Sequence, residues 1–324
     1  MISVNICQEN KVQCNANPAL IKEAIGAGHP TVWVDVETPT EEDWNLLEEQ
    51  FHFHPLAMED ARMQRQQSKL DQYEGYLFLS LRAWVGFQSA TNNIPDVTDE
   101  IDIFLGANYL VTIHQNHCIP LGETRRRWQE HPEMLSNQPA FLLYELLDTI
   151  VDDFFPAIDQ IDAEIDELET TIYTTTGNID IAPALRMKKK LLLLRQSIAP
   201  MRDMLNQLIR SDQTLIPATM RLYFQDVYDH LLRQVEQVDL HRDIVSGVLE
   251  AMMAQTSNHL NQVMKTMTGI STIMMSAALI TGIYGMNFQN MPELKTQYGY
   301  YIALATMGVV SMILVWFFKR IKWF

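Results

Sequence analysis

The residues whose chemistry is easiest to read lie near the C-terminal end of the chain. Asn287 closes a stretch, 266–287, that contains no charged side chain. Its amide offers a neutral carbonyl oxygen that accepts hydrogen bonds without carrying charge. An asparagine in such a place also suits a helix C-cap, because Asn tolerates the left-handed backbone. Upstream, Asn261, Met264, Thr268, Ser271, Met275, Ala278 and Gly282 recur at steps of three and four, which puts them on one face of a helix. Methionine on such a face commonly serves only to fill packing gaps.

Other constellations are fragmentary. His52-Phe53-His54 and the group His114, His117 and Cys118 hold zinc-ligating atom types, but a zinc site needs several ligands converging in space. No Gly-rich phosphate loop, nucleophile elbow or HExxH occurs, so neither catalysis nor ATP-driven transport is expected, and no organic cofactor. The net charge of −16 argues against a nucleic-acid partner and favours small cations or plain solubility. Most of the 40 carboxylates are ordinary solvated charges. Three cysteines, Cys7, Cys14 and Cys118, without a cleavable apolar leader, suit a reduced, cytosolic N-terminal domain.

The elements that must position Asn287 are two candidate spans, 266–286 and 299–318, each about the length of a bilayer crossing. The first is unusually polar, with Thr266, Thr268, Ser271, Thr272, Ser276 and Thr281; the second is far more apolar. Two crossings put both chain ends on one side. The basic tail 319–324, with Lys319, Arg320 and Lys322, places that side in the cytoplasm of a cell whose inner membrane holds the protein. Only the loop 287–298 then faces outward. After Pro217 the next proline is Pro292, so helix is expected over 218–285, on the order of 100 Å long: a cytoplasmic stalk, 217–265, running into the membrane.

Upstream, β-branched and aromatic runs at 31–36, 76–84, 100–106 and 109–114 predict strands. Thr40-Glu41-Glu42-Asp43 resembles a helix start, with Trp44, Leu47 and Phe51 behind it. This is an α/β domain over 1–135. The region 136–216 reads as a helical hairpin. Its first arm, 141–170, has ten carboxylates, no basic residue and an apolar stripe, with a kink expected at Pro156. After a turn at Gly177-Asn178, the second arm carries Arg186, Lys188, Lys189, Lys190 and Arg195, so the arms are expected to pair by charge.

The string Gly282-Ile283-Tyr284-Gly285-Met286-Asn287-Phe288, followed by Met291-Pro292-Glu293-Leu294, resembles the signature loop of CorA magnesium channels. The resemblance extends to the two-span layout, the basic tail, the run Asn261-Gln262-Val263-Met264-Lys265, and His54-Pro55-Leu56 with Glu59-Asp60. It implies a funnel-shaped homopentamer in membrane lipid, an α/β cytoplasmic domain with a long-helix stalk, and two C-terminal transmembrane helices, the first lining the pore. Gly285, Met286 and Asn287 would form the selectivity filter, with Tyr284, Phe288, Met291, Pro292, Glu293 and Leu294 completing the loop. Five Asn287 amides would recognise a hydrated divalent cation, since Mg2+ gives up its waters reluctantly.

Position by position, Asn261, Met264, Met267, Met275 and Asn287 match the family's pore constrictions, where rings of methionine would bar ions until the pore widens and wets. Asp226 and Glu250 match acidic positions of the stalk, the former near an intersubunit Mg2+ site that closes the pore; the partner acid is not evident at Phe87 and Gln88. Ser276 and Ala278 depart from the proline and threonine common in the family. The implied function is passive Mg2+ influx, with Co2+ or Ni2+ as further permeants. The alternatives are a proton-coupled Zn2+ transporter of the ZntB kind and a membrane-anchored sensor or scaffold.

Overall fold

The computed structural model describes residues 1–9, 11–28, 30–63, 67–86, 98–132, 138–174, 179–211, 214–287, 291 and 296–323. The chain divides into two compact units, one of 1–168 with 183–246, the other of 169–182 with 247–324.

In the first unit, strands β1 (Ile2–Gln8), β2 (Lys11–Gln13), β3 (Thr31–Glu37), β4 (Lys69–Tyr73), β5 (Tyr76–Trp84), β6 (Thr98–Gly106) and β7 (Tyr109–His114) make one sheet in the order β2-β1-β3-β7-β6-β5-β4. All neighbours are antiparallel except β3 and β7. The four expected strands are present. The short edge strands β2 and β4, and β1, lacked a long apolar run to announce them. Strands β3, β5, β6 and β7 are buried almost throughout because helices cover both faces.

On one face lie α1 (Ile21–Ala27), α2 (Glu41–Phe51) and α3 (Pro55–Met63), whose Ile21, Trp44, Leu47, Ala57 and Ala61 join Val34, Phe78, Phe104 and Val111 in one core. The expected start of α2 is a full capping box: Thr40 Oγ1 accepts from Asp43 N–H and Asp43 accepts from Thr40 N–H. His52 ends the helix with φ 53°, and Phe53 goes into the core. On the other face Trp128 of α4 (Ile119–Glu130) packs against Trp33, ring centroids 5.9 Å apart.

The acidic arm is two helices, α5 (Pro139–Asp152) and α6 (Phe154–Thr174). The break falls at Asp153, three residues before Pro156. Pro156 has no N–H for the Asp152 carbonyl and its ring clashes with it, so the helix yields on the N-terminal side of the proline. The second arm is α7 (Ala182–Arg210). The arms pair by charge where Lys190 reaches Glu164 at 2.6 Å, whereas Arg195 turns to Asp239 on the next helix at 2.7 Å. The buried stripes Ile158, Ile161, Ile165 and Ala184, Met187, Leu191, Leu194 are the broader cause of packing. Gly177 and Asn178 lie outside the described residues.

Next comes α8 (Arg221–Tyr284), 64 residues without a break and about 96 Å long at 1.5 Å per residue. It begins in the first unit and continues into the second, which also holds α9 (Gly299–Arg320). Both helices are long and apolar enough to cross a membrane.

One buried group conflicts with its surroundings. Asp102 is fully enclosed in β6 beside Glu100 and Ser80, and burial, reinforced by Glu100, pushes its pKa well above the usual carboxylate value. An acid raised in this way favours the fold most at low pH and loses that contribution as pH rises through its folded value. Asp102→Asn is therefore expected to stabilise the full-length protein, by roughly 1–3 kcal/mol near neutrality and by less towards pH 4. Thermal unfolding of both proteins across that range checks the sign.

Candidate functional site

The end of α8 is built by backbone bonds. Gly285 N–H donates to the Thr281 carbonyl at 2.9 Å and Met286 N–H to Ile283 at 3.3 Å, so the last turn tightens from α to 3-10 geometry. Neither Gly285 nor Asn287 is among the residues with positive φ, so the left-handed cap considered for Asn287 is not what ends the helix. Asn287 is exposed and Met291 half-buried. Phe288, Pro292, Glu293 and Leu294 lie outside the described residues.

Along the first candidate span two faces separate. Thr266, Gly269, Ile273, Ser276, Ala277, Ile280 and Tyr284 form the buried or half-buried stripe. Asn261, Met264, Met267, Thr268, Ser271, Met275, Ala278 and Gly282 all lie off it and are exposed. The hydroxyls differ in another respect, for Thr266 and Ser276 lie on the stripe while Thr272 and Thr281 are exposed like Thr268 and Ser271. Those of Thr266, Thr272, Ser276 and Thr281 bond to carbonyls three or four residues back, satisfying themselves within the helix. Among the described residues, the hydroxyls of Thr268 and Ser271 make no such bond, and both belong to the open face.

A second constellation lies in the first unit, and the sequence reading missed it. Asp148 and Asp152, one turn apart on α5, meet His230 of α8, and one ligand atom from each lies within 4.8 Å of the others. His230 Nδ1 stands 3.4 Å from Asp152 Oδ1 and has no hydrogen-bond partner. Burial, then Asp152 and Glu145, push the Asp148 carboxyl up to about 6, with His230 opposing and Asp226 adding to the rise. Burial and the charges of Asp148, Glu145 and Asp226 raise the Tyr144 hydroxyl to about 12. Crowded carboxylates of this kind, with an imidazole, are relieved by a cation. The signal available was the i, i+4 pair Asp148 and Asp152, hidden among ten acids on an amphipathic arm.

Asp226 is exposed one turn before His230, and so contributes to the field of this cluster. Glu250 is also exposed but lies 24 residues further along the same helix, on the order of 36 Å, so one chain cannot bring the two acids to one ion. Phe87 and Gln88 lie outside the described residues.

The histidine fragments are structural. His114 Nε2 meets Asp35 Oδ1 at 3.1 Å and Nδ1 meets the Asn116 carbonyl at 2.6 Å, so both ring nitrogens are engaged. Burial opposes charge on His114, but these bonds outweigh it and raise its pKa, while Asp35, also held by Thr112 and Arg125, is lowered despite its burial. His54 Nδ1 accepts from Leu56 N–H at the start of α3.

A sheet-based domain followed by a helix that continues into an apolar, two-helix C-terminal unit defines a membrane protein built around one long helix. The family model described as CorA-like Mg2+ transporter protein matches residues 29–320. The chain therefore belongs to the CorA-like Mg2+ transporter family, a family of divalent-cation transporters. It is 35% identical to the cobalt/magnesium transport protein CorA of Thermotoga maritima over 84% of this chain and 77% of that one. The complete CorA magnesium transporter of Methanocaldococcus jannaschii superposes with a TM-score of 0.83 at 21% identity, covering 100% of this chain and 99% of the other. The cytoplasmic domain of ZntB from Vibrio parahaemolyticus superposes at 0.63 and 15% identity, over 79% of this chain and 98% of the other.

If Asp148, Asp152 and His230 hold a cation, Asp148→Asn will weaken Mn2+ binding to the full-length protein by at least about tenfold, the scale of losing one coordinating or supporting group. Mn2+ electron paramagnetic resonance reads this directly, and unchanged binding would assign the ion elsewhere.

Proposed function

We propose that the protein is a homopentameric channel for passive Mg2+ influx, with Co2+ and Ni2+ as further permeants, gated by Mg2+ in the cytoplasm. The observation that carries this reading is the exposed face of the first span: Thr268 and Ser271, in line there with Asn261, Met264, Met275 and Gly282, do not spend their hydroxyls on their own turn, and Asn287 stands exposed at its end. A lipid-facing surface has no use for free hydroxyls; a water-filled pore does.

In this arrangement the two spans, 266–286 and 299–318, put both termini and the first unit in the cytoplasm and the loop 287–298 outside the inner membrane. Five copies of Asn287, with the carbonyls of Gly285 and Met286, receive the hydrated ion through hydrogen bonds from its waters, so the full cost of dehydrating Mg2+ is avoided. Met264, Met267 and Met275 then form apolar rings below, which pass hydrated ions when they widen. No fuel is needed, because an inside-negative potential favours entry of a divalent ion by about 4.6 kcal/mol per 100 mV, twice the single-charge figure.

Gating follows from acids that repel one another when no ion is bound. The cluster of Asp148, Asp152 and His230, in the field of Asp226, takes up the cytoplasmic ion, and Glu250 adds charge further along the stalk. Ion loss restores repulsion around α8, the helix that also lines the pore.

The test is Mg2+ flux into liposomes. Asn287→Ala, in protein that still assembles with five subunits by size, is expected to reduce Mg2+ entry at least tenfold, as loss of a hydrogen bond to a charged species of about 1.5–3 kcal/mol implies. Unchanged entry would remove Asn287 from the filter. Zinc entry that depends on a pH gradient would instead mark a proton-coupled transporter of the ZntB kind, and a monomer without flux a membrane-anchored scaffold.

A further inference from the structure

We propose that the second span carries, at the end nearest its basic tail, a binding site for one anionic phospholipid. The site is a shallow, widely open groove of about 640 Å³ formed by α9 alone, from Gly308 through Ser311, Met312, Ile313, Val315 and Trp316 to Lys319. It is open at Gly308, where an added Cβ would meet nothing within 4 Å, so a larger side chain there would occupy the groove itself. From Gly308 to Lys319 the groove runs about 16 Å along the helix, close to half of the ~30 Å hydrocarbon core, the depth of a single leaflet.

The chemistry changes at its end. Lys319 is part of the lining, and the Arg320 guanidinium sits 5.3 Å from the centroid of the Trp316 ring. Lys322, at φ 55°, turns the tail so that Trp323 stacks on Phe318 at 5.3 Å, and Phe318 is buried while Trp316 is exposed. The tail is thus folded against the inner side of α9 and the groove lies on its outer side. Among the described residues no carboxylate pairs with Lys319, Arg320 or Lys322, in a chain whose net charge is −16.

These features select one occupant. An acyl chain matches the apolar length of the groove, an indole at the interface suits the glycerol level, and uncompensated cations at membrane depth attract a phosphate headgroup. The inference rests on α9 crossing the membrane, and is independent of which ion is transported and of Asn287.

Quenching of Trp316 by lipids with brominated acyl chains tests it, using the assembled full-length protein with Trp323→Phe in nanodiscs. Trp33, Trp44, Trp84 and Trp128 belong to the first unit, and a Trp316→Phe protein measured in the same lipids supplies their contribution for subtraction. Brominated phosphatidylglycerol is expected to quench Trp316 more strongly than brominated phosphatidylcholine at equal mole fraction. Replacing Lys319, Arg320 and Lys322 by Gln should remove the preference, each cation contributing about fivefold. Gly308→Leu should reduce quenching by both lipids. Equal quenching by the two lipids means ordinary bilayer contact and overturns the site; no quenching by either, in an intact assembly, means that another subunit covers the groove. Should the charge variant fail to assemble, the unmodified tail decides, because a headgroup preference must shrink as salt is raised.

Discussion

A backbone inside hydrocarbon has no water to turn to, so each of its polar groups must be satisfied within the protein. Helix α8 meets that requirement without interruption from Arg221 to Tyr284, and the rest of the molecule is arranged along it. Its first half packs through Phe224, Val227, Leu231, Val235, Val238, Val245 and Val248, large side chains suited to a water-soluble core. In its second half the stripe changes to Gly269, Ser276 and Ala277, small residues that let membrane helices approach closely. One continuous helix therefore carries two kinds of packing surface.

The same constraint explains why hydroxyls matter more than methionines in reading the open face. A threonine in a membrane helix normally bonds back to its own turn, as Thr266, Thr272 and Thr281 do, and then says nothing about its surroundings. Thr268 and Ser271 are informative because they do not. In the first unit the equivalent tension is electrostatic. Asp35 and His114 compensate one another, with Thr112 and Arg125 completing the network. Asp148 is compensated only in part, and burial with the neighbouring Glu100 pushes Asp102 well above the usual carboxylate range. Uncompensated charge close to α8 can be relieved from solution by a proton or a cation. Uncompensated charge deep in the sheet only costs stability.

Much of this was legible in the chain because it depends on local rules. The charge-free stretch 266–287, the long interval between Pro217 and Pro292, the capping box at Thr40 and the apolar runs of β3, β5, β6 and β7 each write one element in consecutive residues. The kink was legible too, although the break lies at Asp153, because a proline disturbs the turn before it. What could not be read was any relation between residues distant in sequence. His230 lies some 80 positions from Asp148 and Asp152, and the three look like unremarkable surface groups until α5 and α8 pack. His114 was only a fragment of a zinc-type set in the sequence, and Asp35 and the Asn116 carbonyl take both of its nitrogens. Periodicity showed that the first span has faces, but not which one packs. The sequence by itself determined the long helices, the helix start at Thr40, the four buried strands and the family; tertiary structure decided which polar groups are partnered, because burial and pairing belong to packing across elements and not to the order of residues.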